Sequence, residues 1–186
     1  MINLPDTKMC HLEFQDDWLT ISLDNHKKRN ALSSELIVEM MEIFNLVRDE
    51  KVVRGILIKG QNNIFCSGAD LDELHQITYN RSQSEKMTID MSTRIGHLLN
   101  LIDTIPKLTV SVIEGPCIAG GFGMACATDV IITMHNSVFK LSETRLGLTP
   151  SQIAPYVLRK IDYSKARLLM LLGDSIDGRI AYNIGL

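Results

Sequence analysis

Residues 108–123 read LTVSVIEGPCIAGGFG, and this stretch decides the fold class. Its first six residues are mostly apolar or β-branched, as in a buried strand, and Gly115-Pro116 ends the run. A glycine-rich turn from Ala119 to Gly123 then opens a helix of small residues. A buried strand that passes into a helix through a short turn is a unit of layered α/β domains.

The same alternation of strands and helices extends to both sides of this stretch. Residues 52–59, VVRGILIK, predict a second buried strand, and residues 18–23 alternate between two faces with residues 10–14 as a hairpin partner. The other predicted elements are helices at about 33–49, from near Ala69 and at about 84–103, strands at 129–133 and 138–141, and three helical pieces after Ser151. The sequence therefore predicts one layered α/β domain over residues 1–186.

Two of the predicted helices have apolar stripes at helical spacing. The first stripe comprises Leu36, Ile37, Met40, Met41, Phe44 and Val47. The second comprises Ile89, Ile95, Leu98, Leu99 and Ile102. We expect both stripes to face the core.

Composition excludes several classes of function. Hydrophobic residues make up 45% of the 186 residues and the formal net charge is −3, so a globular core is expected and a nucleic-acid partner is not. No apolar stretch has the length of a membrane span, and we expect no membrane association.

The cysteines predict neither a metal site nor a disulfide framework. The four cysteines form no CxxC pair and no histidine cluster accompanies them. A reducing compartment, the cytoplasm, is therefore the expected location.

Two glycine-containing turns, FCSGAD at 65–70 and IAGGFG at 118–123, each follow a buried strand and precede a helix. Free backbone N–H groups at such helix starts attract negative charge. Two of these turns at one point would form an oxyanion hole. Taken singly, glycines in such a turn more often serve tight packing or turn geometry.

Four ordered blocks carry a resemblance to a known family. They are RNAL at 29–32, FCSGADL at 65–71, EGPCIAGG at 114–121 and FKLSETRLGL at 139–148, followed by Pro150. In order and spacing they resemble the enoyl-CoA hydratase/isomerase (crotonase) family over nearly the whole chain. The resemblance implies a spiral of ββα units, a homotrimer or dimer of trimers, and a CoA thioester as substrate without a further cofactor or metal. Family members continue past a matching Gly185-Leu186 into further C-terminal helices, which we expect this chain to lack.

The resemblance also implies the roles of individual residues. The backbone N–H groups of Ala69 and Gly120 would hold the thioester oxygen, and Glu143 would transfer protons. The implied substrate-binding positions are Lys27, Lys28, Arg29, Ala31, Ser67, Gly68, Asp70, Leu71, Asp72 and Gly123. Leu141 and Leu146 flank Glu143, and burial by such neighbours would raise its pKa toward the range useful for acid/base catalysis.

Three functions stay open at this point. Many hydratases of the family have a second glutamate where this chain has Gly123. Glycine there, with the SETRLGLTP segment at 142–150, is similar to methylglutaconyl-CoA hydratases, which act on branched acyl-CoA in leucine breakdown. The family's single-glutamate isomerases shift a double bond instead, and a non-catalytic scaffold subunit is the third alternative.

Overall fold

The computed structural model describes residues 2–80 and 82–186. The strands are β1 (Cys10–Gln15), β2 (Trp18–Leu23), β3 (Gly55–Gly60), β4 (Leu108–Ile113), β5 (Pro116–Ile118), β6 (Val130–Thr133), β7 (Val138–Lys140) and β8 (Ser175–Asp177). The helices are α1 (Ser34–Val47), α2 (Leu71–Tyr79), α3 (Ser84–Thr104), α4 (Gly120–Ala127), α5 (Ala154–Lys160), α6 (Tyr163–Leu172) and α7 (Gly178–Asn183), with 3-10 turns at His26–Lys28 and Glu143–Leu146.

The strands form two sheets. The larger has the order β1-β2-β3-β4-β6, in which β1 and β2 form an antiparallel hairpin and all later neighbours are parallel. The smaller has the order β5-β7-β8. The predicted α/β class is thus confirmed. The three-residue strands β5 and β8 were not predicted, because a run that short has no readable periodicity.

The core lies between the larger sheet and the helices that cover it. Leu19, Ile21 and Leu23 of β2 are fully buried, as the alternation predicts. Helix α1 buries Leu36, Ile37, Met40, Ile43, Phe44 and Val47, and the predicted Met41 is partly buried and packs against the same core. Ser33 begins the helix by accepting a hydrogen bond from Leu36 N–H at 3.3 Å.

Helix α3 departs from its predicted stripe at one position. Ile95, Leu98, Leu99 and Ile102 are buried, but Ile89 is 56% exposed, so the prediction for Ile89 was wrong. Ile89 precedes Ile95 by six residues, about one and two-thirds turns, and therefore lies on another side of the helix. The first turns of α3 instead line a cavity on the surface of the domain.

Among the described residues, no helix is both long and apolar enough to cross a bilayer. All four cysteines are free thiols in the buried interior.

Candidate active site

Backbone pairing brings the two glycine-containing turns together. Cys66 and Cys117 form a parallel bridge, in which Cys66 N–H donates to Pro116 O at 3.2 Å and Ile118 N–H donates to Cys66 O at 2.9 Å. Because these pairs lie just before the turns, the two backbone segments enter the turns side by side.

The two turns touch at Gly68 and Gly120. A β-carbon added to Gly68 would lie 2.8 Å from Ala119 Cβ and 3.6 Å from Gly120 N. Leu32 N–H donates to Gly68 O at 2.8 Å and helps to hold the first turn in place. This approach requires glycine at position 68, where φ is +91°.

The N–H groups of Ala69 and Gly120 have no protein acceptor among the described residues. Gly120 is the first residue of α4, so its N–H has no intrahelical partner. Ala119, which precedes it, has φ 50° and ψ −118°, a conformation that disfavours a side chain. Ala119 N–H donates to Lys140 O at 2.8 Å, so β7 helps hold the strained peptide. Two unengaged donors on adjacent, constrained turns are the groups that a preorganised oxyanion site would use.

Glu143 begins the 3-10 turn that follows β7 and lines the same cavity as both turns. Among the described residues, its Oε2 is the one buried side-chain nitrogen or oxygen without a hydrogen-bond partner. Burial raises the pKa of Glu143, and a hydrogen bond from its own backbone lowers that pKa to a smaller extent. A desolvated carboxyl group with one oxygen left without a partner is suited to exchange a proton with a ligand.

The two leucines expected to bury Glu143 differ in their own exposure. Leu141 is fully buried, whereas Leu146 is largely exposed at the cavity. The turn that carries Glu143 is held in place from α6, because Thr144 Oγ1 donates to Met170 O at 2.9 Å. Leu148 N–H donates to Glu143 O at 3.0 Å and closes the turn.

The 3-10 turn at His26–Lys28 and the adjoining Arg29, together called the basic turn, lie at the same cavity. Some of its positive charges are paired with carboxylates. Lys28 Nζ lies 2.6 Å from Asp70 Oδ2 and 3.2 Å from Asp72 Oδ2. Hydrogen bonds to Asp70, and secondarily to Asp72, raise the pKa of Lys28. Lys27 and Arg29 also line the cavity, and neither forms an ion pair with a carboxylate in the described part of the chain. They are the unmatched cations of this turn.

Asp70 has a structural role in addition to its place at the cavity. Its side chain is only 2% exposed, and Oδ1 accepts a hydrogen bond from Asp72 N–H at 2.9 Å. Asp70 is thus the N-cap of α2. One buried carboxylate therefore connects the start of that helix to the basic turn.

The cavity has a volume of about 680 Å³, within the range of small-ligand sites. The predicted site residues that line it are Lys27, Lys28, Arg29, Ala31, Ser67, Ala69, Asp70, Leu71, Asp72, Gly120 and Glu143. Gly68 and Gly123 are not on its wall. Gly68 lies behind the wall against Ala119, and Gly123 is buried under Ile153, where an added β-carbon would overlap Ile153 Cγ2.

Sequence reasoning missed the other wall of the cavity. Thr88, Met91, Ser92 and Ile95 of α3 line it together with Gln152, which donates a hydrogen bond through Nε2 to Ser92 Oγ. The signal was present in the sequence, because positions 88, 91, 92 and 95 share one helix face. Its mixed polar and apolar character did not distinguish it from an exposed surface.

The fold is α/β, and one cavity is lined both by the two turns with unengaged N–H groups and by a desolvated carboxylate. The family model described as enoyl-CoA hydratase/isomerase matches residues 13–186, and this chain belongs to that family. Its crotonase-like fold agrees with the predicted spiral of ββα units.

Individual relatives agree with this assignment. The chain is 31% identical over 166 residues to enoyl-CoA hydratase ACTT6 of Alternaria alternata, covering 89% of this chain and 52% of that protein. Among solved structures it is similar to AtuE of Pseudomonas aeruginosa, with a TM-score of 0.90 and 34% identity over 96% of this chain and 68% of that one. An enoyl-CoA hydratase/isomerase of Marinobacter aquaeolei has a TM-score of 0.88 at 30% identity, covering 95% and 68%. The chain thus spans about half the length of the first curated relatives that it matches.

Proposed function

We propose that this chain carries the site of an acyl-CoA lyase that adds water to an enoyl-CoA thioester, or removes it in reverse. The observation that supports this most strongly is Glu143 Oε2, a buried oxygen without a partner, on the same cavity as the free N–H groups of Ala69 and Gly120. An enolate needs donors at its oxygen and a proton-transferring group near its carbon, and this cavity has both.

In the proposed reaction the thioester oxygen accepts hydrogen bonds from Ala69 N–H and Gly120 N–H. Water attacks C3 of the enoyl group, the π electrons move onto the thioester oxygen, and Glu143 takes the proton that water loses. Glu143 then gives a proton to C2, and the enolate electrons return to form the new C–H bond. One oxyanion-hole donor is typically worth about 10²–10³ in rate.

A second candidate is double-bond isomerisation, and the packing at Gly123 favours it. At that position the resemblance puts a second glutamate in many hydratases, and here Ile153 fills the space above the glycine. One carboxylate suffices to move a proton between C2 and C4 of the acyl chain without adding water. The proposed hydratase must use Glu143 alone for both proton transfers.

The basic turn is the proposed contact for the phosphates of CoA. Lys27 and Arg29 supply the unmatched charge there, whereas the charge of Lys28 is shared with Asp70 and Asp72. CoA thioester is the substrate in this proposal, and the chemistry uses no further cofactor. On the strength of the family resemblance, the same proposal includes a branched, methylglutaconyl-type acyl group. It also includes assembly as a homotrimer or a dimer of trimers, and a cytoplasmic location.

A product assay decides between the alternatives. The protein is incubated with straight and branched enoyl-CoA and 3-hydroxyacyl-CoA thioesters, and products are identified by mass spectrometry. We expect enoyl-CoA to gain the mass of one water. A product of unchanged mass with a shifted retention time indicates the isomerase, and thioesters that all stay intact contradict both enzymatic proposals.

A further inference from the structure

The proposed reaction does not use the wall of the cavity formed by α3 and Gln152, called the far wall here. A series of contacts leads to the far wall from the basic turn. Lys28 bonds Asp70, and Asp70 directly follows Ala69, the first proposed donor. The neighbouring Gly68 touches Gly120, the second donor. These contacts place the reacting thioester between the basic turn and the body of α4.

Further contacts extend in the opposite direction from the thioester. Gly123 lies three residues beyond Gly120, about one turn along α4. Gly123 packs under Ile153, and the next residue back, Gln152, reaches across to Ser92. The contacts thus lead from the oxyanion site along α4 to the hydrogen-bonded pair of Gln152 and Ser92, and in the other direction through Asp70 to the basic turn. An acyl chain whose CoA lies at the basic turn extends toward this pair.

The pair retains unused hydrogen-bonding capacity. Gln152 Nε2 donates to Ser92 Oγ, and within the described part of the chain neither side chain forms another hydrogen bond. The second N–H of the Gln152 amide, its Oε1 and the Ser92 hydroxyl hydrogen are left over. Both side chains are half-buried at the cavity wall and lie beside apolar Met91 and Ile95. A wall of this kind orients a polar group at the end of an otherwise apolar chain.

We propose that Gln152 and Ser92 are specificity-determining residues that bind an oxygen at the far end of the acyl group, as in an ω-carboxylate or an ω-hydroxyl. This inference rests on the proposed function for the direction in which the acyl-CoA lies. The charged residues that line the cavity belong to the basic turn, to residues 70 and 72 and to Glu143, so recognition at the far wall is by hydrogen bonds.

The test is binding of saturated thioesters, which cannot be hydrated. Calorimetry compares succinyl-, glutaryl- and adipoyl-CoA with butanoyl-, pentanoyl- and hexanoyl-CoA of equal chain length, and 5-hydroxypentanoyl-CoA separates a neutral oxygen from a charged one. We expect the best-fitting polar thioester to bind roughly tenfold tighter than its alkyl counterpart. We expect Gln152→Leu to abolish this preference and Ser92→Ala to reduce it, with alkyl thioesters still bound.

Retained binding of alkyl thioesters shows that the variants are folded. If the pair had a purely structural role, its substitution would weaken the binding of polar and alkyl thioesters alike. Equal affinities for polar and alkyl thioesters in the unmodified protein would overturn the inference, as would a preference that survives in both variants. Turnover of enoyl-CoA is scored separately. A protein that prefers polar thioesters but turns over no enoyl-CoA contradicts the proposed function and leaves this inference standing.

Discussion

Ile153 packs against Gly123 so closely that a β-carbon added to the glycine would lie 2.5 Å from Ile153 Cβ. The two residues join α4, which begins with the proposed donor Gly120, to the segment that precedes α5. The space in which the family resemblance would put a second glutamate side chain is thus filled by an aliphatic one. This contact makes Glu143 the sole carboxylate in the proposed mechanism.

Gly123→Ala should destabilise the protein by about 1–3 kcal/mol, because the added methyl group overpacks a filled core. Urea denaturation measures the change. Gly96→Ala is the matched control, since position 96 lies within α3 and nothing lies within 4 Å of an added β-carbon. The control should gain roughly 0.5–1 kcal/mol from its helix propensity. A Gly123→Ala variant as stable as Gly96→Ala would show that the contact is loose.

The conformation of Ala119 supports a second stability prediction. Its φ of 50° and ψ of −118° disfavour a β-carbon, and glycine adopts them without that strain. Ala119→Gly should therefore stabilise the protein by about 1 kcal/mol, as measured by denaturant midpoint. The control Ala125→Gly, within α4, should lose about 1–2 kcal/mol, because it loses both helix propensity and a buried methyl group. A loss of stability in both variants would show that the backbone at Ala119 is not strained.

Much of the fold and part of the site could be predicted from the sequence, for definite physical reasons. Buried parallel strands such as β3 and β4 appear as short apolar runs, and α1 shows helical periodicity. The two turns and Glu143 were identified because their motifs lie in a fixed order along the chain. The far wall was not identified, because Gln152 and Ser92 meet only through tertiary packing, 60 residues apart in sequence. The pairing of Lys28 with Asp70, 42 residues away, was missed for the same reason.

The pairing of Lys28 with Asp70 and Asp72 predicts how charge beside the basic turn affects CoA affinity. Asp72 is largely exposed and lies 3.2 Å from Lys28, so it reduces the positive potential offered to a phosphate. Asp72→Asn should bind CoA about two- to five-fold tighter at low salt, and added salt should remove the gain. Calorimetry over a salt series measures this. Asp16→Asn makes the same charge change away from the cavity wall and should have no effect. Weaker binding by Asp72→Asn would argue against a phosphate at this turn.

The raised pKa of Glu143 predicts a stability cost with a defined sign. Burial disfavours the charged form, so the folded protein holds the proton more tightly than the unfolded chain does. Stability is therefore lost as pH rises from the ordinary value of 4.5 through the raised pKa. Glu143→Gln should have a higher melting temperature than the unmodified protein at neutral pH, and the difference should shrink toward zero as pH falls to about 4.5. Glu13→Gln, at an exposed position of β1, is the control. A stabilisation that does not depend on pH would show that the effect is not the buried charge.

The turnover of Glu143→Gln tests the central claim most directly. The variant keeps the size and hydrogen-bonding capacity of the side chain but cannot transfer a proton, so the loss should fall on kcat and not on binding. Single-turnover kinetics with the preferred enoyl-CoA, and calorimetry with its saturated analogue, measure the two quantities. We predict a fall in kcat of about 10²–10⁴ with an affinity within a few-fold of the unmodified protein, while Glu13→Gln is unchanged. Near-normal turnover by Glu143→Gln would contradict the assignment of Glu143 as the proton-transferring group.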